Sequence, residues 1–166
     1  MSKRTSRCPA IFCRIHHFRG HSIHSPFAYS LVRDILMKPP TAHYTGPLHD
    51  LLLREGVPAK YAFQIDSLIK YYDLDGFAVN NTDRSNVDKS SILLTATPSC
   101  NAEELLLLER SAMPSDIFCV CMPRKSRTRR NVCRKLIERH GGLSIENKVT
   151  LLLFYDSGLN KQHIRL

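Results

Sequence analysis

Apolar and polar positions alternate in blocks along the last third of the chain. Short apolar runs of strand length lie at Ile92–Ala96, at residues 117–122 and at residues 149–155. The stretches between them, residues 101–112 and 126–140, are longer and carry apolar residues at helical spacing. Strands of this kind that alternate with helices are typical of βαβ units on a buried parallel sheet.

The end of this region predicts an antiparallel hairpin. Residues 143–145 and 149–155 are apolar, and Glu146, Asn147 and Lys148 separate them as a tight turn. Beyond Gly158, residues 161–163 are expected to form a loop into a last edge strand. We therefore predict an α/β fold with a sheet of about four to five strands that closes in a hairpin.

The first half of the chain predicts helices that pack on this sheet. Ser25 and Pro26 form a helix start, with serine as the N-cap and proline at the first helical position. Gly46 and Pro47 open a second helix that Gly56 ends, and a third runs over residues 59–72. A short strand at Gly76–Val79 and a polar loop at 80–89 follow.

These patterns predict three segments within one compact domain. Residues 1–24 form a basic, histidine-rich N-terminal arm, residues 25–75 a helical segment, and residues 76–166 a truncated Rossmann-like α/β core. A sheet truncated in this way exposes the edge strand Gly76–Val79, through which copies of the chain could associate.

Composition and charge narrow the range of functions. The chain has 166 residues and a formal net charge of +9, and its pI is about 9.5, which favours polyanionic or acidic partners. No stretch is long and apolar enough to span a bilayer, and no apolar segment of a secretory signal follows the basic start. We therefore expect a cytoplasmic protein without membrane contact, whose six cysteines stay reduced.

Several segments resemble a known family. The segment GHSIHSPFAY, from Gly20 to Tyr29, resembles the G-x-G-[IV]-H-S-P-F-x-[YF] opening of a group of bacterial class I S-adenosylmethionine-dependent methyltransferase-like proteins. Residues 60–72 are similar to the helix that precedes their first strand. Residues 123–127, 143–146 and 158–166 are similar to their closing segment. The resemblance implies a shortened methyltransferase-type Rossmann fold.

The same resemblance argues against methyl transfer. It aligns Gly76–Val79 with the first strand of the family, Ile92–Ala96 with the fourth and residues 117–122 with the fifth, so no sequence remains for the second and third strands. The family's glycine-rich turn after strand one is replaced by Asn80-Asn81-Thr82-Asp83. We therefore expect a degenerate, non-catalytic relative that binds no cofactor, with S-adenosylmethionine methyl transfer as the alternative.

A basic cluster is the strongest candidate binding site. Its polyanion-binding residues are Arg124, Lys125, Arg127, Arg129, Arg130 and Arg134, and Lys135 and Arg139 follow them. Cations at a helix N-terminus oppose the helix dipole, whereas arginine forks and N-terminal amides suit phosphate. The cluster predicts binding to RNA or to an acidic protein surface; the competing interpretation is a solvated basic face.

Other candidate chemistry is weaker. An active methyltransferase would need an unusual pocket between Asn80 and Ser99. A metal-stabilised nucleic-acid binder would use the N-terminal set Cys8, Cys13, His16, His17, His21 and His24, whose spacing is not that of a zinc knuckle. We assign no metal ligand and no catalytic residue. Ser25 acts as a helix cap, and Cys100 is an ordinary loop cysteine although it lies near a helix N-terminus.

Overall fold

The computed structural model describes residues 26–37, 46–81 and 91–166. The helices are α1 (Pro26–Leu31), which a π-helical turn (Val32–Leu36) continues, α2 (Pro47–Arg54), α3 (Ala59–Tyr71), α4 (Ala102–Arg110) and α5 (Arg127–Arg139). The strands are β1 (Gly76–Val79), β2 (Ile92–Ala96), β3 (Ile117–Cys121), β4 (Leu143–Glu146), β5 (Thr150–Phe154) and β6 (Gln162–Arg165).

The strands form one mixed sheet in the order β1-β2-β3-β5-β4-β6. β1, β2 and β3 are parallel, and β5 runs antiparallel between β3 and β4. The predicted α/β class and the closing hairpin are therefore confirmed. β1 lies at one edge of the sheet within the described residues, as expected for Gly76–Val79.

Within the ranges that the structure describes, the sheet has six strands, one more than the upper end of the predicted range. The last strand, β6, is the edge strand expected beyond Gly158, and it pairs parallel to β4. It begins at Gln162, inside the segment expected to be a loop. Only Ile164 is buried in β6, while His163 and Arg165 are exposed, so an edge strand of this kind carries a weak apolar signal.

Helices cover both faces of the sheet. Leu31, Leu48 and Ile65 from the first three helices pack on the face that carries Cys119 and Ile145. Leu105, Cys133 and Leu136 from α4 and α5 pack on the opposite face, around Phe118 and Leu153. The first three helices therefore pack on one face of the sheet and α4 and α5 on the other, and both faces of β2 and β3 are buried.

Some predictions fall on residues that the structure does not describe. The arm at 1–24, the Ser25 cap and residues 82–89 of the polar loop lie outside the described ranges.

Cys100, Cys119, Cys121 and Cys133 are free and buried. None of the described helices has the length and apolar character needed to cross a bilayer.

Candidate polyanion-binding surface

The basic cluster lies where β3 ends and α5 begins. Met122 leaves the strand with a left-handed φ of 52°. Ser126 caps α5 because its Oγ accepts a hydrogen bond from the Arg129 amide at 3.1 Å. The first turn of α5 contains no acidic residue, so the positive end of the helix dipole faces the surrounding cations without compensation.

Four of the predicted residues form an exposed group. Lys125, Arg127, Arg130 and Arg134 are all exposed, and they are called the basic surface below. Arg127, Arg130 and Arg134 follow one another at spacings of three and four residues, so they form a stripe on one face of α5. The acidic neighbour of this stripe is Glu138, whose Oε1 lies 3.8 Å from the Arg134 Nε.

Arg129, which was also predicted to bind a polyanion, is directed into the protein. It is only 5% exposed, and its guanidinium donates hydrogen bonds to four main-chain carbonyls. Nη1 bonds the Cys100 oxygen at 2.6 Å, and Nη2 bonds those of Ala96 (3.2 Å), Thr97 (2.9 Å) and Cys121 (2.9 Å). Arg129 therefore ties α5 to the carboxyl ends of β2 and β3, and it does not belong to the exposed contact surface.

The helical spacing of α5 holds the signal for this burial. Arg129 precedes Cys133 by four residues and Leu136 by seven, and these three are the buried residues of the helix. A charged residue in the apolar stripe of an amphipathic helix indicates a buried ionic or hydrogen-bonded role. Charge density alone, which groups Arg129 with its neighbours, misses that position.

Arg124 is also engaged within the protein. Its Nε and Nη2 both bond Glu146 Oε1, at 3.0 and 2.9 Å. The second oxygen of Glu146 lies 3.6 Å from the Arg165 Nε and 3.9 Å from the His163 Nε2. Arg124 therefore anchors the β3–α5 loop to the end of β4. Because its charge is paired with Glu146, Arg124 is less available to an external anion than the residues of the basic surface.

A cleft separates the β2–α4 loop from the start of α5. Its volume is about 330 Å³, and its lining includes Ser99, Asn101, Lys125, Ser126, Thr128 and Arg129. Lys125 bridges the cleft because its Nζ donates to the Pro98 oxygen at 2.9 Å. Burial raises the pKa of the Cys100 thiol in the same wall, so this cysteine is not the activated thiolate that a helix N-terminus can produce.

A hydrogen-bonded network occupies the carboxyl ends of β1 and β2. The Asn80 amide nitrogen donates to Thr97 Oγ1 at 2.7 Å and to Ser99 Oγ at 3.1 Å, and its oxygen accepts from the Thr97 amide at 2.8 Å. Thr97 and Ser99 in turn donate to Glu55 Oε2, at 2.9 and 2.6 Å. These two bonds, that of Ser99 first, lower the pKa of Glu55, which makes it a weak base.

A Ser-His-Glu arrangement on β4 and β6 does not form a hydrolytic site. Ser144 Oγ lies 2.9 Å from the His163 Nδ1, and the other ring nitrogen faces Glu146. Ser144 is only 2% exposed within a paired strand, so a substrate carbonyl cannot reach its oxygen. In the described ranges no group of three or more His, Cys, Asp or Glu side chains could hold a metal ion.

The N-terminal set of cysteines and histidines lies outside the described residues.

Comparisons with protein-family models, with curated proteins and with solved structures find no match. Functional assignment therefore rests on the geometry of the described residues.

Proposed function

We propose that this protein is a non-catalytic, methyltransferase-like module that binds RNA through its basic surface. One observation carries the proposal: Arg127, Arg130 and Arg134 form an exposed stripe that begins in the first turn of α5. Cations at this end of a helix cost a few tenths of a kcal/mol each. Stability alone does not favour them there, whereas contact with phosphate does.

The strand order supports the methyltransferase-like part of the proposal. Three parallel strands are followed by a hairpin whose second strand, β5, enters antiparallel beside β3. This is the arrangement implied by aligning β1, β2 and β3 with the first, fourth and fifth strands of the family. Only residues 80–91 separate β1 from β2, too few for two further strands with their helices.

The carboxyl edge of the sheet supports a non-catalytic role. In the family that the chain resembles, a glycine-rich turn after the first strand lets the backbone approach the cofactor. Here Asn80 occupies that position, and Thr97 and Ser99 bond its side chain. The strand end therefore carries a side chain held by three hydrogen bonds in place of a glycine, which supports a role without the cofactor.

Geometry favours RNA backbone over base contacts. The stripe rises over seven residues, about 10 Å at ~1.5 Å per residue, which is long enough to contact successive phosphates of one strand. None of the exposed large apolar side chains of the described ranges lies on α5, so no aromatic ring is available there for base stacking. We therefore expect binding with little sequence preference.

The test is the salt dependence of RNA binding, measured by fluorescence anisotropy. The variant Arg127→Gln/Arg130→Gln/Arg134→Gln lowers the net charge from +9 to +6 (9 − 3 = 6). Arg54→Gln/Lys60→Gln/Arg110→Gln changes the charge equally at exposed residues of α2, α3 and α4 and is the matched control.

The slope of log K against log salt should become shallower by about 2 in the stripe variant, since each phosphate contact on a single strand contributes ~0.7. The control should keep the wild-type slope. The proposal is wrong if the wild type binds no RNA at low salt, or if both variants lose the same affinity.

A further inference from the structure

We propose that the cleft between the β2–α4 loop and the start of α5 is a binding site for a phosphate group, in the form of a phosphomonoester. The cleft adjoins the basic surface through Lys125, which belongs to both. The inference rests on the proposed function only where the phosphate comes from RNA. A small phosphorylated molecule would use the same contacts.

A buried positive charge without a counter-ion is the first observation. Arg129 forms part of the cleft wall and is only 5% exposed. Its four hydrogen bonds all go to carbonyl oxygens, its Nε has no hydrogen-bond partner, and no described carboxylate forms an ion pair with it. A buried cation is costly unless an opposite charge is near. An anion in the cleft supplies that charge.

The start of α5 supplies donors. The amides of Arg127 and Thr128 are the first two of the helix, so no carbonyl of the same helix can accept from them. Ser126 Oγ already accepts from the third amide, that of Arg129. The first turn of α5 holds no carboxylate that could occupy the open amides. Helix N-terminal amides of this kind bind phosphate oxygens.

The corresponding end of α4 is closed by its own side chains. Asn101 Oδ1 accepts from the amides of Glu103 and Glu104, at 2.8 and 3.0 Å, and Glu104 Oε2 accepts from the Asn101 amide at 2.7 Å. This half of the cleft therefore offers an anion few donors. The phosphate is placed on the α5 side, next to Thr128.

Lys125 provides a second cationic contact at the cleft. Its ammonium spans the cleft to the Pro98 oxygen, a neutral acceptor that a phosphate oxygen can replace with a stronger, charge-assisted bond. The volume of about 330 Å³ lies at the lower end of the ~300–1,000 Å³ usual for small-molecule sites. The cleft therefore has room for a phosphate and part of an attached sugar.

The test compares two substitutions that change the charge equally. Thr128→Asp places a carboxylate at the open amides, where it favours the helix but takes the place of the anion. Asn131→Asp adds the same charge one turn further along α5, at an exposed residue that does not line the cleft. The primary readout is calorimetric titration with adenosine monophosphate and with inorganic phosphate, at an ionic strength held constant with chloride.

Wild type and Asn131→Asp should bind both compounds, and Thr128→Asp should bind at least about tenfold more weakly, because it loses the dipole-assisted contacts. Thermal unfolding without phosphate should show that Thr128→Asp is folded and no less stable than the wild type. Absence of binding by the wild type, or equal binding by both variants, overturns the site.

Single-stranded RNA with a 5′-phosphate or a 5′-hydroxyl identifies the source. Tighter binding of the 5′-phosphate form, lost in Thr128→Asp, assigns the cleft to an RNA terminus. Equal binding of the two RNAs, with phosphate binding intact, assigns it to a small phosphorylated molecule. If phosphate does not bind while the stripe variant still loses RNA, the cleft is wrong and the proposed function stands. If phosphate binds while the stripe variant keeps the wild-type affinity for RNA, the proposed function is wrong and the cleft stands.

Discussion

The guanidinium Nη2 of Arg129 lies 2.9 Å from the carbonyl oxygen of Cys121, at the end of the central strand β3. The same side chain bonds carbonyls at the end of β2 and in the loop after it. One residue of α5 therefore fixes both loops that form the cleft. Arg127, Arg130 and Arg134 in the same helix are exposed.

Arg129→Met should destabilise the protein strongly. The substitution leaves buried carbonyls without donors, and each such group costs ~1–3 kcal/mol, so we expect the free energy of unfolding to fall by about 2–4 kcal/mol. Arg130→Met changes an exposed neighbour in the same helix and should cost less than about 0.5 kcal/mol. Urea denaturation followed by circular dichroism measures both. Similar values for the two variants would contradict the structural role of Arg129.

Asp66 joins two helices through its carboxylate, and Asp66→Asn tests that link. It is 5% exposed on α3, and it accepts hydrogen bonds from the amides of Gly46 and His49, each at 3.2 Å, at the start of α2. Asparagine presents an N–H₂ to one of these donors, so we expect a loss of ~1–3 kcal/mol in urea unfolding.

Asp50→Asn is the control for Asp66. Asp50 lies in the first turn of α2 with its side chain 65% exposed. Removing the charge of an exposed carboxylate there costs at most about 1 kcal/mol. A loss at Asp66 no larger than at Asp50 would show that the buried carboxylate does not hold α2.

Local signals in the sequence account for most of the fold. The capping box of Asn101 and Glu104, the helix start at Gly46-Pro47 and the stop at Gly56, whose φ is +79°, involve neighbours within a few residues. Their chemistry is therefore visible in the sequence. The alternation of strands and helices depends on equally local periodicity.

Long-range partners account for what the sequence did not predict. The Arg129 guanidinium bonds oxygens up to 33 residues away, and Asp66 reaches 20 residues back to Gly46. Neither partner can be identified before the chain is folded. The basic cluster was therefore predicted as one group, whereas folding divides it into exposed Arg127, Arg130 and Arg134, anchored Arg124 and buried Arg129.

Asn101→Ala tests the local cap on α4. Asn101 Oδ1 accepts from two backbone amides, and Glu104 completes the capping box. Removal should lower the free energy of unfolding by about 1 kcal/mol. Asn131→Ala, in the exposed middle of α5, replaces asparagine with a better helix former and should leave stability unchanged or slightly higher. Equal losses in the two variants would argue against the cap.

S-adenosylmethionine should give no binding heat in calorimetry at millimolar concentration. Asn80 adopts a left-handed φ of 52° at the end of β1, and its amide is bonded to Thr97 and Ser99. A cofactor at this strand end would have to break these bonds. A dissociation constant in the micromolar range would instead favour the methyltransferase alternative.

His140 makes stability dependent on pH in a defined direction. Burial lowers its pKa, against the opposing effects of backbone contacts at Phe154 and Leu143. Its Nε2 lies 3.0 Å from the Phe154 oxygen, and its ring packs edge-on against Tyr155 with centroids 4.9 Å apart. The folded state therefore favours the neutral ring.

The unfolded chain binds a proton near pH ~6.5, while the folded chain binds it only at lower pH. The contribution of His140 to the free energy of unfolding is therefore fully present above about pH 6.5. It decreases as the pH drops below that value, by at most ~1.4 kcal/mol per pH unit for one group. Partial burial of the His163 ring also lowers its pKa, so this residue acts in the same direction. Urea unfolding at several pH values between about 5 and 8 measures the effect.

His140→Gln should flatten the pH profile, because glutamine keeps an N–H for the Phe154 oxygen but does not titrate. His163→Gln, at a more exposed edge-strand residue, is the comparison and should flatten it less. His140→Gln/His163→Gln should remove both contributions. A profile for His140→Gln as steep as that of the wild type would mean that other groups cause the acid sensitivity and that the buried ring does not control it.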